Sequence, residues 1–435
     1  MRRVGCDVLV IGAGPAGLAA AWAARQRGAD EVLVVERNRE LGGILPQCIH
    51  NGFGVSYFKA DLTGPEYAGR WIAQAQEAGV AFLTDTMVLE IAAEDAEGGV
   101  RVVAANGRDG IVEIEARALV LAMGCRERPR GALAIPGMRP AGVYTAGTAQ
   151  RLVNMEGYMP GSRFVILGSG DIGMIMARRL TLEGAHVAAM LEILPYVSGL
   201  RRNLVQCVRD FDIPLRLCTT VTEVRGRERV ESVVASLVDE RWRPVAGTQE
   251  EIACDTLLLS VGLIPENELS RMAGVALDAR TGGPYVDERL ATSVPGIYAA
   301  GNVVHVYDLV DEVSASALVA GRSAAEHALG LAPVHRDEGL PVAAGENVRH
   351  VVPQRLNPQA LASGPVQIEF RVRQPVEAAV RVEVRATTQA GEDALLSRRL
   401  RYARPSEMVV LSLPPTLLPR LERAHALTVA VVGRE

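Results

Sequence analysis

Gly12, Gly14 and Gly17 stand in the pattern G-x-G-x-x-G, with Pro15 and Ala16 in its variable places, and Glu36 follows 24 residues after Gly12. These residue types bind; they do not make bonds. The first glycine lets the chain turn tightly, the second lets backbone approach a pyrophosphate, and the third lets a helix pack on a strand. An acid at that remove accepts a hydrogen bond from a ribose hydroxyl. The elements needed to position these residues are present. Residues 8–11 are a short apolar run of strand type, an Ala-rich helical stretch ends at Gly28, and residues 32–35 form a second apolar strand that stops at Glu36. The helix aims its positive N-terminus at the phosphates. Residues 7–36 therefore read as a dinucleotide-binding fingerprint. Arg2 and Arg3 ahead of apolar residues also suggest a secretory signal, but Asp7 and three glycines interrupt the apolar segment a signal needs.

The device recurs. Residues 164–167 are apolar, Gly168, Gly170 and Gly173 repeat G-x-G-x-x-G around Asp171 and Ile172, and a strand over 186–191 ends at Glu192, again 24 residues after the first glycine. Two copies imply two dinucleotides. An acid at the second site repels a 2′-phosphate, so NAD(H) is preferred to NADP(H) there. Arg201 and Arg202 could bind such a phosphate; they read more simply as a solvated basic turn.

Composition bounds the rest. A chain of 435 residues suggests about three domains. Hydrophobic residues at 49%, charged residues at 22% and a net charge of −5 describe a globular chain with no basic surface for nucleic acid, and 4% aromatics leave little for base stacking. No run approaches the ~18–20 uninterrupted apolar residues of a membrane span, so the cytoplasm is the default expectation. The cysteines, Cys6, Cys48, Cys125, Cys207, Cys218 and Cys254, form no C-x-x-C, which argues against an iron–sulfur or zinc site and for reduced thiols.

Between the fingerprints, residues 42–54 (G-G-I-L-P-Q-C-I-H-N-G-F-G) form a loop rich in Gly, Pro and Asn that carries Cys48 and His50. Thr63 and Glu66 predict a capping box for a helix ending before Gly79. Residues 100–104 and 111–114 read as a hairpin with Asn106-Gly107 in its turn, and 118–123 as a separate strand ending at Gly124. Residues 331–346 read as a linker, and 347–435 as a small antiparallel β-sandwich whose period-two strands, Q-I-E-F-R-V-R and V-R-V-E-V-R, point arginines and glutamates outward. Nothing catalytic is visible in that domain, which reads as an interface or stabilising module.

Taken together, these motifs resemble the two-dinucleotide-binding flavoprotein oxidoreductases, relatives of the pyridine-nucleotide disulfide reductases, over residues 5–330. The first fingerprint resembles the family's FAD site and the second its NAD site. L-A-M-G at 121–124 resembles the strand end where the chain crosses to the inserted NAD domain. T-S-V-P-G-I-Y-A-A-G-N at 292–302 resembles the second FAD motif, with Asn302 where the family has an acid. The resemblance implies an α/β fold of two Rossmann-like domains of the three-layer ββα kind plus the C-terminal all-β sandwich. The FAD domain would be built from 1–128 and 265–330, and the NAD(P) domain from 129–264. It also adds Arg37, Gly43, Ile44, Val88, Gly124, Gly262 and Gly301 to the cofactor-binding residues.

The chain departs from the dithiol branches of that family. The positions of the two cysteines in G-G-x-C-x-x-x-x-C hold Leu45 and His50, and residues 142–149 hold no C-x-x-C. The runs at 42–54, 124–132 and 168–185 more narrowly resemble flavoproteins found beside anaerobic-type glycerol-3-phosphate dehydrogenase. They are also similar to subunits of hydrogen cyanide synthase, opine oxidases and dye-linked proline dehydrogenase. That likeness implies FAD-mediated transfer between NAD(H) and a small-molecule or protein acceptor, with a dehydrogenase partner subunit that supplies an iron–sulfur centre. Two other readings stay open: a stand-alone NADH oxidase or peroxidase using Cys48, and a subunit for electron relay or assembly. The possibility of a homo-oligomer is left open as well.

Overall fold

A computed structural model describes residues 2–93, 99–331 and 339–433. The chain divides into two compact units, Met1–Cys125 with Pro265–Glu435, and Arg126–Ile264.

In the first unit the apolar runs become parallel strands. Arg2–Ile11 lies between Val32–Val35 and Gly110–Leu121, Ala81–Leu83 extends the sheet beyond Val32–Val35, and Ile297–Ala299 pairs with the end of Gly110–Leu121. The hairpin and the strand expected at 118–123 are one continuous element. Gly110–Leu121 pairs in parallel with Arg2–Ile11 along one edge from Val112 to its end, while its other edge pairs antiparallel with Val100–Asn106 first and parallel with Ile297–Ala299 last. The alternation of buried and exposed residues runs unbroken through Glu115, Ala116 and Arg117, so nothing at that point breaks the strand. Thr86–Ala93 completes the meander. The predicted helix is Gly64–Glu77, and both bonds of its capping box form: the Glu66 carboxylate accepts from the Thr63 N–H at 2.8 Å, and the Thr63 hydroxyl accepts from the Glu66 N–H at 3.4 Å.

Two helices cover the sheet against each other. Pro15–Arg27 buries Ala16, Ala19, Ala20, Ala21, Ala23 and Ala24, and Val310–Ala328 buries Ala317, Ala320, Ala324 and Ala325. Small residues on both faces let the backbones approach. At Gly321 the approach is so close that a methyl group would lie 2.0 Å from the Ala20 carbonyl oxygen.

The C-terminal strands fall in this same unit. Arg355–Leu356, Leu340–Ala344, Ala426–Val432, Val380–Thr388 and Gly391–Leu400 form one sheet, and Val348–Val352, Val366–Val372 and Val409–Leu413 the other. Val342, Ile368, Phe370, Val382, Val384, Leu411 and Leu427 share the core between them. The expected linker is thus in part a strand: Leu340–Ala344 pairs in parallel with Ala426–Val432, and residues 332–338 lie outside the described residues. Pro341 hides this strand in the sequence, yet proline is tolerated where a strand begins or runs at an edge.

The second unit repeats the plan of the first. Val143–Thr145, Thr256–Leu259, Arg163–Leu167, His186–Leu191 and Leu215–Arg216 form a parallel sheet, and Thr219–Arg225, Ser232–Leu237 and Glu250–Ala253 an antiparallel meander.

Replacing Gly321 by Ala forces the two covering helices apart, so it is expected to cost about 1–3 kcal/mol in urea unfolding. Gly69, inside Gly64–Glu77 with nothing within 4 Å of an added methyl, is the control. Gly69→Ala is expected to stabilise by roughly 0.5–1 kcal/mol.

Candidate functional site

The first glycine turn is held from three sides. The Gly12 N–H donates to the Val35 carbonyl at 2.8 Å. Gly12 has φ +100°, and a methyl group there would lie 2.5 Å from the Ala122 carbonyl oxygen; one at Gly17 would lie 1.7 Å from the Gly12 carbonyl oxygen. Both positions exclude any other residue. Gly14 differs, because a methyl there meets nothing nearer than the Gly43 Cα at 3.9 Å. Space is therefore kept open in front of the helix Pro15–Arg27, whose N-terminus has no side-chain cap and no acid in its first turn. Uncapped N–H groups beside such a space suit a phosphate anion.

Glu36 closes the turn on the far side. It is 5% exposed, and its carboxylate accepts from the Ala13 N–H at 2.8 Å and the Asn38 N–H at 2.9 Å. Each oxygen keeps a lone pair for a sugar hydroxyl. Gly43, at φ +63°, packs so near Gly14 that a methyl on it would lie 2.8 Å from the Gly14 Cα. Ile44 beside it is 53% exposed, an apolar side chain next to the phosphate seat. Arg37 is exposed. Val88 lies two residues beyond Thr86, whose N–H donates to the Glu36 carbonyl; its own side chain is in the core, so only its backbone can serve a ligand.

The segment 301–312 brings the expected second motif onto the first. Gly301, at φ +73°, packs on the start of the helix, where a methyl would lie 2.8 Å from Ala16 Cβ. The Asn302 side chain accepts from the Tyr307 N–H at 3.0 Å, and its amide nitrogen lies 3.5 Å from the Cys125 sulfur, one residue after Gly124. Asp311, in the first turn of Val310–Ala328, accepts from the Ser56 and Tyr57 N–H groups at 2.7 and 3.3 Å. It thereby anchors the loop that follows Cys48 and His50. The Cys48 sulfur lies 3.5 Å from the Ile44 carbonyl, and burial pushes its thiol up to about 12. At neutral pH it is a protonated thiol and a poor nucleophile.

The second glycine turn copies the first contact by contact. The Gly168 N–H donates to the Leu191 carbonyl at 2.7 Å, and a methyl at Gly168 would lie 2.0 Å from the Ser260 carbonyl oxygen. Glu192, 3% exposed, accepts from the Ser169 N–H at 2.9 Å and the Leu194 N–H at 3.0 Å. It also accepts from the Ser169 hydroxyl at 2.5 Å and the Ser198 hydroxyl at 2.9 Å. The helix Asp171–Leu182 again has no side-chain cap. Its N-terminus is more crowded than the first. The Asp171 carboxylate accepts from the Leu200 N–H at 2.8 Å and the Asn203 amide at 2.6 Å, and the Gly173 N–H donates to the Ser260 hydroxyl at 3.0 Å. Ile172 follows on the same turn. Gly262, at φ +102°, accepts from the Arg128 N–H at 3.0 Å. Arg201 and Arg202 are exposed.

Sequence reasoning missed how much the C-terminal sandwich contributes here. Glu369 and Arg371, expected to face water from the strand Val366–Val372, meet the loop after the second motif. Glu369 lies 2.9 Å from the His305 Nε2, and Arg371 pairs with Asp308 and donates to the Val306 carbonyl at 2.9 Å. The period-two pattern assigns these residues to the face away from the sandwich core, correctly, but cannot tell water from another segment of chain. Ser169 and Ser198 were missed as well, since no spacing rule reaches from a loop serine to Glu192.

Comparisons with known proteins agree with this geometry. The pyridine nucleotide-disulphide oxidoreductase family matches residues 6–324. An opine oxidase subunit of Agrobacterium tumefaciens (strain Ach5) is 29% identical over 313 residues, 68% of this chain and 61% of that protein. Hydrogen cyanide synthase subunit HcnB of Pseudomonas protegens is 25% identical over 288 residues, 61% of this chain and 58% of that one. The chain thus spans about three fifths of the length of these curated relatives. Thioredoxin reductase of T. acidophilum superposes with a TM-score of 0.61 at 23% identity, over 75% of this chain and 99% of that one, a likeness of fold. With its two glycine turns, its buried acids and a match over most of its length, the chain belongs to the pyridine nucleotide-disulphide oxidoreductase family.

Proposed function

We propose that this chain moves electrons between NAD(H), taken at Gly168–Gly173 and Glu192, and an acceptor in a partner subunit, through FAD held at Gly12–Gly17 and Glu36, without an internal dithiol. The observation that carries this reading is the pair of acid-clamped glycine turns in a chain whose six cysteines form no C-x-x-C. The residues fit the cofactor: the open space at Gly14, the uncapped helix and the remaining lone pairs of Glu36 match a pyrophosphate and a ribose. FAD, when bound, supplies a carrier that takes a hydride and passes its electrons on. The chain's part is to bind, orient and exclude water, which needs no nucleophile-and-base pair.

NAD(H) is favoured over NADP(H) because the donors on Glu192 are all neutral. Its negative charge stays uncompensated where a 2′-phosphate would come. The partner is inferred from the relatives, which are themselves named as subunits. The narrower link to a glycerol-3-phosphate dehydrogenase-type system rests on the motif runs alone. The protonated, half-buried Cys48 speaks against the oxidase or peroxidase reading. No helix among the described residues is long and apolar enough to cross a membrane.

Gly14→Ala is expected to fold normally, with stability within about 0.5 kcal/mol of wild type. Its methyl would occupy the phosphate seat, so FAD affinity, measured by fluorescence on reconstituting the apoprotein, should fall at least ~tenfold. NADH, added anaerobically to the holoprotein, should bleach the flavin faster than NADPH by about tenfold or more, the equivalent of about 1.4 kcal/mol. Cys48→Ser should leave that bleaching intact. A flavin untouched by NADH would sink the nicotinamide half of the proposal, and turnover with oxygen or peroxide that Cys48→Ser abolishes would restore the thiol reading.

A further inference from the structure

The loop and helix start at 305–312 meet the C-terminal sandwich in a buried cluster of ionisable groups. His305, 1% exposed, lies 2.9 Å from Glu369 and stacks against Tyr307 with ring centres 4.2 Å apart; the ring of His350 is 5.7 Å away. Arg371 is committed to Asp308, and the second oxygen of Asp308 accepts from the Met408 N–H at 2.6 Å. Asp308, Asp311, Glu369 and Arg371 all act electrostatically on Glu312. Five buried side-chain atoms of this cluster have no hydrogen-bond partner among the described residues: His305 Nδ1, both ring nitrogens of His350, one oxygen of Asp311 and one of Glu312. In this cluster four carboxylates thus face the Arg371 guanidinium, which is already paired, and Arg349, which acts on His350, is exposed. Buried charge without a partner is costly, and the economical remedy is a bound proton.

A proton is also what the proposed reaction has to place. NADH gives up a hydride and becomes NAD⁺, so one net negative charge stays with the carrier until an acceptor takes the two electrons and the hydride's own proton goes to solvent. Resting on the NAD(H)-to-acceptor reading above, we propose that the Glu312 carboxylate, in one cluster with the His305–Glu369 pair, takes up a proton from solvent when electrons arrive and returns it to solvent when they leave for the acceptor. The bond formed is O–H on Glu312, and the electrons leave through the cofactor to the acceptor. Val313 beside it and Ala16 of the first glycine turn both crowd Gly301, which brings the start of this helix to the first seat, where Glu312 holds charge in balance while electrons pass.

The charges around the cluster suit the task. Burial first, then Asp308 and Glu369, raise the Glu312 carboxyl to about 7, with Asp311 adding to the rise and Arg371 opposing it. Burial, together with His305, Arg371 and Arg349, holds His350 down at about 3, so it stays neutral and adds no competing cation. Burial likewise keeps the Tyr307 phenol protonated. Glu312 is therefore half-ionised near neutrality, and extra negative charge arriving nearby draws a proton onto it.

The test is proton uptake on reduction, read with a pH-indicator dye while the holoprotein in weak buffer is reduced at an electrode through a mediator whose own proton uptake is subtracted. In wild type the uptake assigned to Glu312 should grow as pH passes upward through about 7 and saturate near one proton by about pH 8. Below that range the carboxyl is already protonated. The sign is diagnostic, because protonation of the cofactor itself falls as pH rises. Glu312→Gln should abolish the rising component, and Glu369→Gln, which removes a charge that raises Glu312, should move it to lower pH. The same rising curve in a flavin-loaded Glu312→Gln overturns the proposal. A wild-type protein that binds no flavin overturns the cofactor reading beneath it, an outcome visible in the absorbance before any proton is counted.

Discussion

The nucleotide-binding architecture depends on a carboxylate that has been taken out of water. Glu36 and Glu192 are almost wholly buried, and moving a carboxylate from water costs several kcal/mol even after relaxation. Neither is held by a cation. Each is held by two backbone N–H groups, one from the residue after the first glycine of its turn and one from two residues beyond itself. The bond serves both sides. It satisfies the acid, and it satisfies an N–H that the tight turn would otherwise leave buried and unpaired. The turn is thereby preformed, with its helix N-terminus already aimed. Strand, turn, helix, strand and acid are a single mechanical unit in which the acid is the fastener. That is why the fastener recurs at the same remove of 24 residues in both copies.

From that unit the constraint passes outward by close packing of small residues. The helix behind the first turn can bury its face only because Val310–Ala328 presents alanine and Gly321 to it. The second helix is fixed in turn at its own start, where Asp311 holds the loop at 56–57 and the 305–308 segment rests on Glu369 and Arg371 of the sandwich. The C-terminal domain is thus a buttress for the cofactor-side loop as well as a separate core. Alternation along Val366–Val372 lets one strand do both: Ile368 and Phe370 enter the sandwich core, while Glu369 and Arg371 reach the loop.

How much of this the sequence made legible follows from how local each constraint is. The glycine turns were readable because Gly12 and Gly168 are demanded by backbone geometry within a few residues, and the acids because a strand of fixed rise delivers them at a fixed spacing. The capping box at Thr63 and Glu66 is local in the same way. The period-two strands of the sandwich were readable as strands. What covers their outer face was not, because a pattern of polar residues looks the same against water and against His305 and Asp308. The continuous strand Gly110–Leu121 divides in the sequence because one of its edges changes partner part-way, from Val100–Asn106 to Ile297–Ala299. Leu340–Ala344 was lost under Pro341, since its pairing with Ala426–Val432 depends on a partner about 80 residues away. The serines on Glu192 were out of reach for the same reason: Ser198 arrives by tertiary folding alone.

The two seats, alike in plan, differ in how far they are already satisfied. Glu36 spends one lone pair on each oxygen and has two left. Glu192 spends three donors on one oxygen and one on the other. The first helix start faces open space at Gly14, whereas the second has Asp171 tied to Leu200 and Asn203 and Gly173 tied to Ser260. A ligand at the first seat gains hydrogen bonds that nothing else supplies. A ligand at the second competes with bonds that the protein already makes, so its net gain per contact is smaller. Under the proposed assignment this is the asymmetry the reaction needs. The resident cofactor gets the unsatisfied seat and stays, and the nicotinamide nucleotide, which must leave after every hydride, gets the seat that closes behind it.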